Sequence, residues 1–119
     1  MSYQVRIADE AERDLRGIFE YIAFELQSVK NATGQLSRLK DEILSLSEMP
    51  ERYRRYELEP WHSRGVRRFA VDNYAVFYLP DPKKNEVNVL RVLYAGRDID
   101  RIMAEYAAEA GDQTGQTEK

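Results

Sequence analysis

The chain has 119 residues, of which 43% are hydrophobic and 33% charged, the make-up of one globular domain that can bury its own core without covalent staples. It contains no Cys and one His, His62, which excludes disulfide frameworks, thiolate nucleophiles, multi-His metal sites and a two-His catalytic relay, so neither metal nor cofactor is expected. The net charge of −3 conceals a division, because residues 51–101 carry eleven basic against eight acidic side chains while 1–50 and 102–119 are each net acidic; a pI near 5.3 opposes broad adhesion to nucleic acid.

Tyr3-Gln4-Val5-Arg6-Ile7 alternates apolar and polar residues and reads as a short strand. Asp9, with Glu12 three residues on, fits an N-cap and capping box opening a helix. Ala11, Leu15, Ile18 and Ile22 then recur at helical spacing, backed by Phe19 and Leu26. Ser28 to Asn31 interrupts the pattern with capping residues, and a second stripe follows through Ala32, Leu36, Leu39, Ile43 and Leu46 before Pro50. Two amphipathic helices joined by so short a connection predict an antiparallel hairpin.

Residues 51–65 read as irregular, with Arg52, Arg54 and Arg55 among Tyr53, Tyr56, Glu51, Glu57 and Glu59. Arg and aromatics together suit nucleic-acid contact, but the three glutamates make a solvated, internally paired segment the default. Val66–Val71, Tyr74–Leu79 and Val87–Tyr94 are β-prone, and Asp72-Asn73 suits a two-residue hairpin turn because both residues tolerate left-handed backbone angles. Asp98–Ala108 reads as a closing helix with Ile99, Ile102, Met103 and Tyr106 on it. Residues 1–108 are expected to form the single domain and 109–119 a disordered polar tail. No apolar run is long enough to span a membrane, and Met1-Ser2-Tyr3-Gln4 opens no signal peptide, so a cytoplasmic protein is expected.

This order predicts an α+β fold: an N-terminal strand, a two-helix hairpin packed on one face of a mainly antiparallel four-stranded sheet, and a short C-terminal helix. With Asp72-Asn73 as the turn, Val71 pairs with Tyr74, Phe69 with Val76 and Arg67 with Tyr78, so Phe69, Val71, Tyr74, Val76 and Tyr78 share the bulkier face, which belongs against the helices. Val66, Arg68, Ala70, Ala75, Phe77 and Leu79 share the other. That second face is expected to be open, with Arg68 presented among small residues.

Four stretches carry a family resemblance. They are the opening strand leading into Ala11-Glu12-Arg13-Asp14-Leu15 and Ile18-Phe19-Glu20-Tyr21-Ile22; Leu46 to Pro50; Asn73-Tyr74-Ala75-Val76-Phe77-Tyr78; and Val89 through Arg91 and Tyr94 to Gly96-Arg97-Asp98. Together, in this order, the chain from Tyr3 to about Met103 resembles the RelE/ParE-type toxins of bacterial type II toxin–antitoxin modules, the plasmid-stabilisation toxins. The resemblance implies growth arrest and a cognate antitoxin encoded by an adjacent gene. It also implies one of two targets: messenger RNA cut on the ribosome without metal, as in RelE-like members, or DNA gyrase, as in ParE-like members. A third option is a member that retains antitoxin binding alone.

Position by position, the resemblance places Arg68 and Arg97 on basic, catalytic-face positions of the RelE type. The Arg that RelE-like nucleases carry after the Tyr of the third strand is Ala75 here. Gly96-Arg97-Asp98 is closer to ParE-like members, and with the low pI this leans toward a non-nuclease. Arg91, Tyr94 and His62 are possible auxiliaries. Arg91 is the more natural as a structural ion-pair partner, Tyr94 and Tyr106 as packing aromatics, and His62, beside Trp61, as a hydrogen-bonded loop residue.

Overall fold

The computed structural model describes residues 2–117, with side chains described as far as Glu109. The elements are β1 Gln4–Ile7, α1 Asp9–Glu20 running into a π-turn at Tyr21–Glu25, α2 Val29–Leu44 running into a 3₁₀ turn at Ser45–Ser47, α3 Trp61–Arg64, β2 Arg67–Val71, β3 Tyr74–Asp81, β4 Glu86–Tyr94 and α4 Ile99–Thr117. The sheet order is β1-β4-β3-β2. β2, β3 and β4 are antiparallel neighbours, and β1 joins the far edge parallel to β4, so the fold is the expected α+β arrangement.

The hairpin register is the one the turn residues dictate: Val71 faces Tyr74, Phe69 faces Val76 and Arg67 faces Tyr78. Asp72 takes a positive φ of 54°. Its carboxylate is clamped from α2, accepting from Gln35 Nε2 and Arg38 Nε at 2.9 Å each. Phe69, Val71, Tyr74, Val76 and Tyr78 therefore lie under the α1–α2 hairpin, in one core with Leu15, Leu39, Ile43, Val87, Val89 and Val92. The Tyr78 hydroxyl is buried there and donates to the Pro50 carbonyl at 2.6 Å. Ser28 caps α2 as its sequence suggests, accepting from the Asn31 amide at 3.1 Å. β4 carries a bulge: Phe77 faces Arg91 but Tyr78 faces Val89, leaving Leu90 as the extra residue.

Three expectations need correction. The second sheet face is not open. α4, α3 and the segment before β2 cover it, and Tyr56, Trp61, Val66, Ala75, Phe77, Leu93, Ile99 and Met103 form a second buried core. The irregular stretch thus contains a core residue: Trp61 stacks on Tyr106 with ring centroids 5.2 Å apart and donates its indole N–H to the Met103 carbonyl at 2.9 Å. Asp9 is the first residue of α1 rather than its cap. Ala8 takes the cap position because its N–H is bound to the Val89 carbonyl at 2.9 Å, which turns the strand directly into the helix. α4 runs on through Thr117. Residues 118–119 lie outside the described residues.

Among the described residues no helix is long and apolar enough to cross a membrane.

Candidate functional site

Two grooves flank the sheet, and the candidate residues divide between them. The first, about 990 Å³, lies between α1 with its π-turn, α2 and the ends of β3 and β4. Its walls include the exposed side chains of Tyr21, Leu26 and Tyr94, and its cations are Lys30, Arg38 and Arg97. Arg38 is committed to Asp72 at 2.9 Å, whereas Lys30 and Arg97 have no ion-pair partner among the described residues. Tyr94 stands edge-on to Tyr74, ring centroids 5.8 Å apart. Its ring lies on Gly96, where an added Cβ would come within 2.5 Å of the Tyr94 Cε2.

The second groove, about 480 Å³, lies where the segment before α3 crosses β2, and is lined by Arg54, Arg55, Tyr56, Leu58, Arg68 and Asp100 among others. Arg68 projects from β2 on the second face, as the register requires. It lies over the edge of the second core, with its guanidinium carbon 5.3 Å from the Phe77 ring centroid and 5.7 Å from that of Tyr56. Neither Arg54 nor Arg68 has a carboxylate partner among the described residues. The Tyr56 hydroxyl donates to Asp100 Oδ1 at 2.5 Å. Burial first, and then that hydrogen bond, push its pKa well above the ordinary tyrosine range, so it remains a neutral donor at physiological pH.

Arg91 belongs to neither groove's free charge. Its guanidinium makes a bidentate pair with Asp14 of α1, Nε to Oδ2 at 2.8 Å and Nη2 to Oδ1 at 3.0 Å, and lies over the Tyr106 ring at 5.3 Å. Asp14 also accepts from the Val92 amide at 2.9 Å, so it caps the part of the β4 edge that β1 is too short to reach. This pairing raises the Arg91 pKa further. His62 sits on α3 and lines neither groove. It is half exposed, with Nδ1 3.7 Å from Glu59 Oε2. Glu59 itself is held below the ordinary carboxylate range by the Ser63 hydroxyl and amide. Tyr106 packs against Trp61, and burial raises its pKa.

The Arg-rich segment is largely structural. Arg52 caps the end of α2, donating to the Glu48 carbonyl at 2.6 Å and to Ser45 Oγ at 2.8 Å, and Arg67 donates to the Tyr53 carbonyl at 2.7 Å. Ala75, at the position where the RelE-type resemblance implies an Arg, is 1% exposed beneath the second core. Sequence reasoning missed Lys30, Tyr21 and Gly17 as lining residues of the first groove, and Asp100 in the second. No local signal marked the first set, since the sequence places Ile22 and Leu26 with the buried stripe of the helix, and the exposure of Tyr21 and Leu26 is visible only in the structure. No group of His, Cys, Asp and Glu fit to hold a metal occurs among the described residues.

The family model described as the ParE toxin of the type II toxin–antitoxin system parDE matches residues 5–113. No curated protein matches in sequence. Among solved structures, the chromosomal ParDE system of P. aeruginosa is similar at 15% identity and a TM-score of 0.66, over 78% of this chain and 96% of that one. The RelBE2 toxin–antitoxin complex of Mycobacterium tuberculosis is similar at 22% identity and 0.59, over 79% and 92%. A variant of the E. coli toxin RelE in the free state is similar at 17% identity and 0.60, over 92% and 98%. These likenesses carry the fold, and the family model spans both grooves, the bulged strand and most of α4; the chain belongs to the ParE toxin family of type II toxin–antitoxin systems.

Proposed function

We propose that this toxin is neutralised by a cognate antitoxin and arrests growth by a ParE-like mechanism, binding and inhibiting DNA gyrase rather than cutting messenger RNA. The observation that carries the reading is the separation of the cationic candidates. Metal-free phosphodiester cleavage needs several groups aimed at one phosphate in near-attack geometry. Here Arg97 lines one groove and Arg68 the other, and Arg91 is locked to Asp14. Where the third RelE-type Arg would reach the phosphate, a buried Ala75 reaches nothing. Separate grooves suit a protein that grips a large partner at two places, each Arg offering a charge-assisted contact to a carboxylate.

The partner reading draws on the similar structures, several of which are complexes of a toxin with its antitoxin. Two assays with the purified toxin test the target. DNA supercoiling by purified gyrase is expected to stop at stoichiometric toxin, and primer extension on an in vitro translation reaction is expected to show no new 5′ ends. Cleavage within codons in the ribosomal A site would overturn the gyrase reading in favour of a RelE-like endoribonuclease. Inactivity in both assays, with antitoxin binding intact, would leave a member that only binds antitoxin.

A further inference from the structure

We infer that the second groove is a binding site for a phosphomonoester dianion, held between the guanidiniums of Arg54 and Arg68. The backbone register supplies the first reason. Arg55 bridges Arg67 in the antiparallel sense, and the Arg68 amide donates to the Arg54 carbonyl at 3.2 Å. Arg54 and Arg68 are therefore directly opposite each other, with their side chains on one face. Like charges so placed destabilise a strand pair, and no carboxylate among the described residues pairs with either. The acids lining the groove are Glu57 and Asp100. Asp100 is taken by the Tyr56 hydroxyl, and Glu57 reaches neither Arg. An anion between the two guanidiniums turns the repulsion into a grip.

Arg68 is also held in place before any ligand arrives. It is partly buried, over the Phe77 and Tyr56 rings, and such contacts fix a guanidinium while leaving its N–H donors free. The ligand's class follows from counting acceptors and charges. A carboxylate has two oxygens, which one bidentate guanidinium fills. Two facing guanidiniums match a group with three terminal oxygens and nearly two negative charges, which is a phosphomonoester. The phosphodiester of a nucleic-acid backbone, with one charge and two free oxygens, matches them less well. The groove, at about 480 Å³, has the size of a small-molecule site, so the phosphate is either free or the terminal group of a mononucleotide. The inference does not depend on which target the toxin inhibits.

The test titrates the full chain at low salt with inorganic phosphate, adenosine monophosphate and the phosphodiester-linked dinucleoside ApA, read by calorimetry. Phosphate or the nucleotide is expected to bind below about 1 mM, with ApA weaker by about tenfold or more. Equal affinity for phosphate and nucleotide identifies free phosphate as the ligand, and tighter binding of the nucleotide identifies a mononucleotide. Arg54→Ala and Arg68→Ala should each weaken binding about tenfold or more, and Lys30→Ala, in the first groove, should leave it unchanged. Arg54→Glu puts an acid opposite Arg68, so it should abolish binding and raise the melting temperature. No binding of either phosphomonoester would overturn the inference, as would equal binding of acetate. Equal binding of ApA would also overturn it, by making the groove a contact for a nucleic-acid backbone. Binding retained by Arg54→Glu, or a lower melting temperature in that variant, would refute the opposition of the two cations. If Arg68→Ala fails to fold, the two Arg54 variants decide.

Discussion

Removing the Asp14 carboxylate should be the most costly single polar change in the molecule. Asp14→Ala deletes three hydrogen bonds, of 2.8, 3.0 and 2.9 Å, and leaves two orphans: the Arg91 guanidinium and the Val92 amide. The Asp14 and Arg91 side chains are only 14% and 18% exposed, so water compensates poorly. Breaking one side of a buried pair costs about 3–5 kcal/mol. Residual solvent contact puts this one at the low end, about 3 kcal/mol, or about 12 °C in a domain of this size. Asp14→Asn keeps an acceptor for Val92 and should lose about half as much. Thermal and urea unfolding of Asp14→Ala, Arg91→Leu and the double variant would close a double-mutant cycle with a coupling of at least about 1.5 kcal/mol. A loss below about 1 kcal/mol for Asp14→Ala, or coupling near zero, would refute the claim that this pair holds the β4 edge.

Arg68→Ala and Arg97→Ala should each weaken growth arrest while leaving the fold intact. Arg68→Ala should lose about 0.5–1 kcal/mol of stability with its aromatic contacts and Arg97→Ala less than about 0.5, and because the two line different grooves their effects on toxicity should add on a free-energy scale, as read from growth curves at matched soluble expression. Val76→Asp places an unpaired carboxylate at a site that is 0% exposed and should abolish folding, seen as loss of the soluble protein or of its cooperative melt. The hydrogen bonds from Arg38 and then Gln35 hold the Asp72 carboxyl below the ordinary aspartate range. A depressed folded-state pKa means the clamp on the hairpin turn contributes at neutral pH and is lost as pH falls below about 3.9 through the lower folded value; an NMR titration should place the Asp72 midpoint below that figure and Arg38→Ala should move it back up.

The parts of the fold legible in the sequence are those where one local rule admits one answer. Asp72-Asn73 fixes a two-residue turn, the turn fixes the register, and strict alternation then sorts Phe69 and Val76 from Arg68 and Phe77. The second core was hidden because its pieces come from three places. Trp61 stands in a stretch with no periodicity, and the stripe on α4 names its own apolar residues without naming the surface they cover. Long-range electrostatics were legible only in part: Arg91 reads as a structural ion-pair partner, but nothing local names Asp14, 77 residues away, as the acid it pairs with. The candidate site suffered from the same gap. The resemblance supplied Arg68 and Arg97 as one set, and only the course of the chain after β4 shows that they serve different grooves.

The parallel pairing of β1 with β4 has a consequence for the order in which the molecule comes into being. Gln4 waits for Glu86, and Ile7 for Val89, so β1 has no partner until about eighty residues later, roughly 4–16 s at ordinary rates of synthesis. The first groove is built the same way, with α1 and α2 from the early half of the chain and β3 and β4 from the late half. Until β4 has been made, a nascent chain therefore holds neither a finished sheet nor a finished first groove. The first groove comes into existence only once β4 and Arg97 have been made, and a partner already present in the cell then has the first opportunity to occupy it.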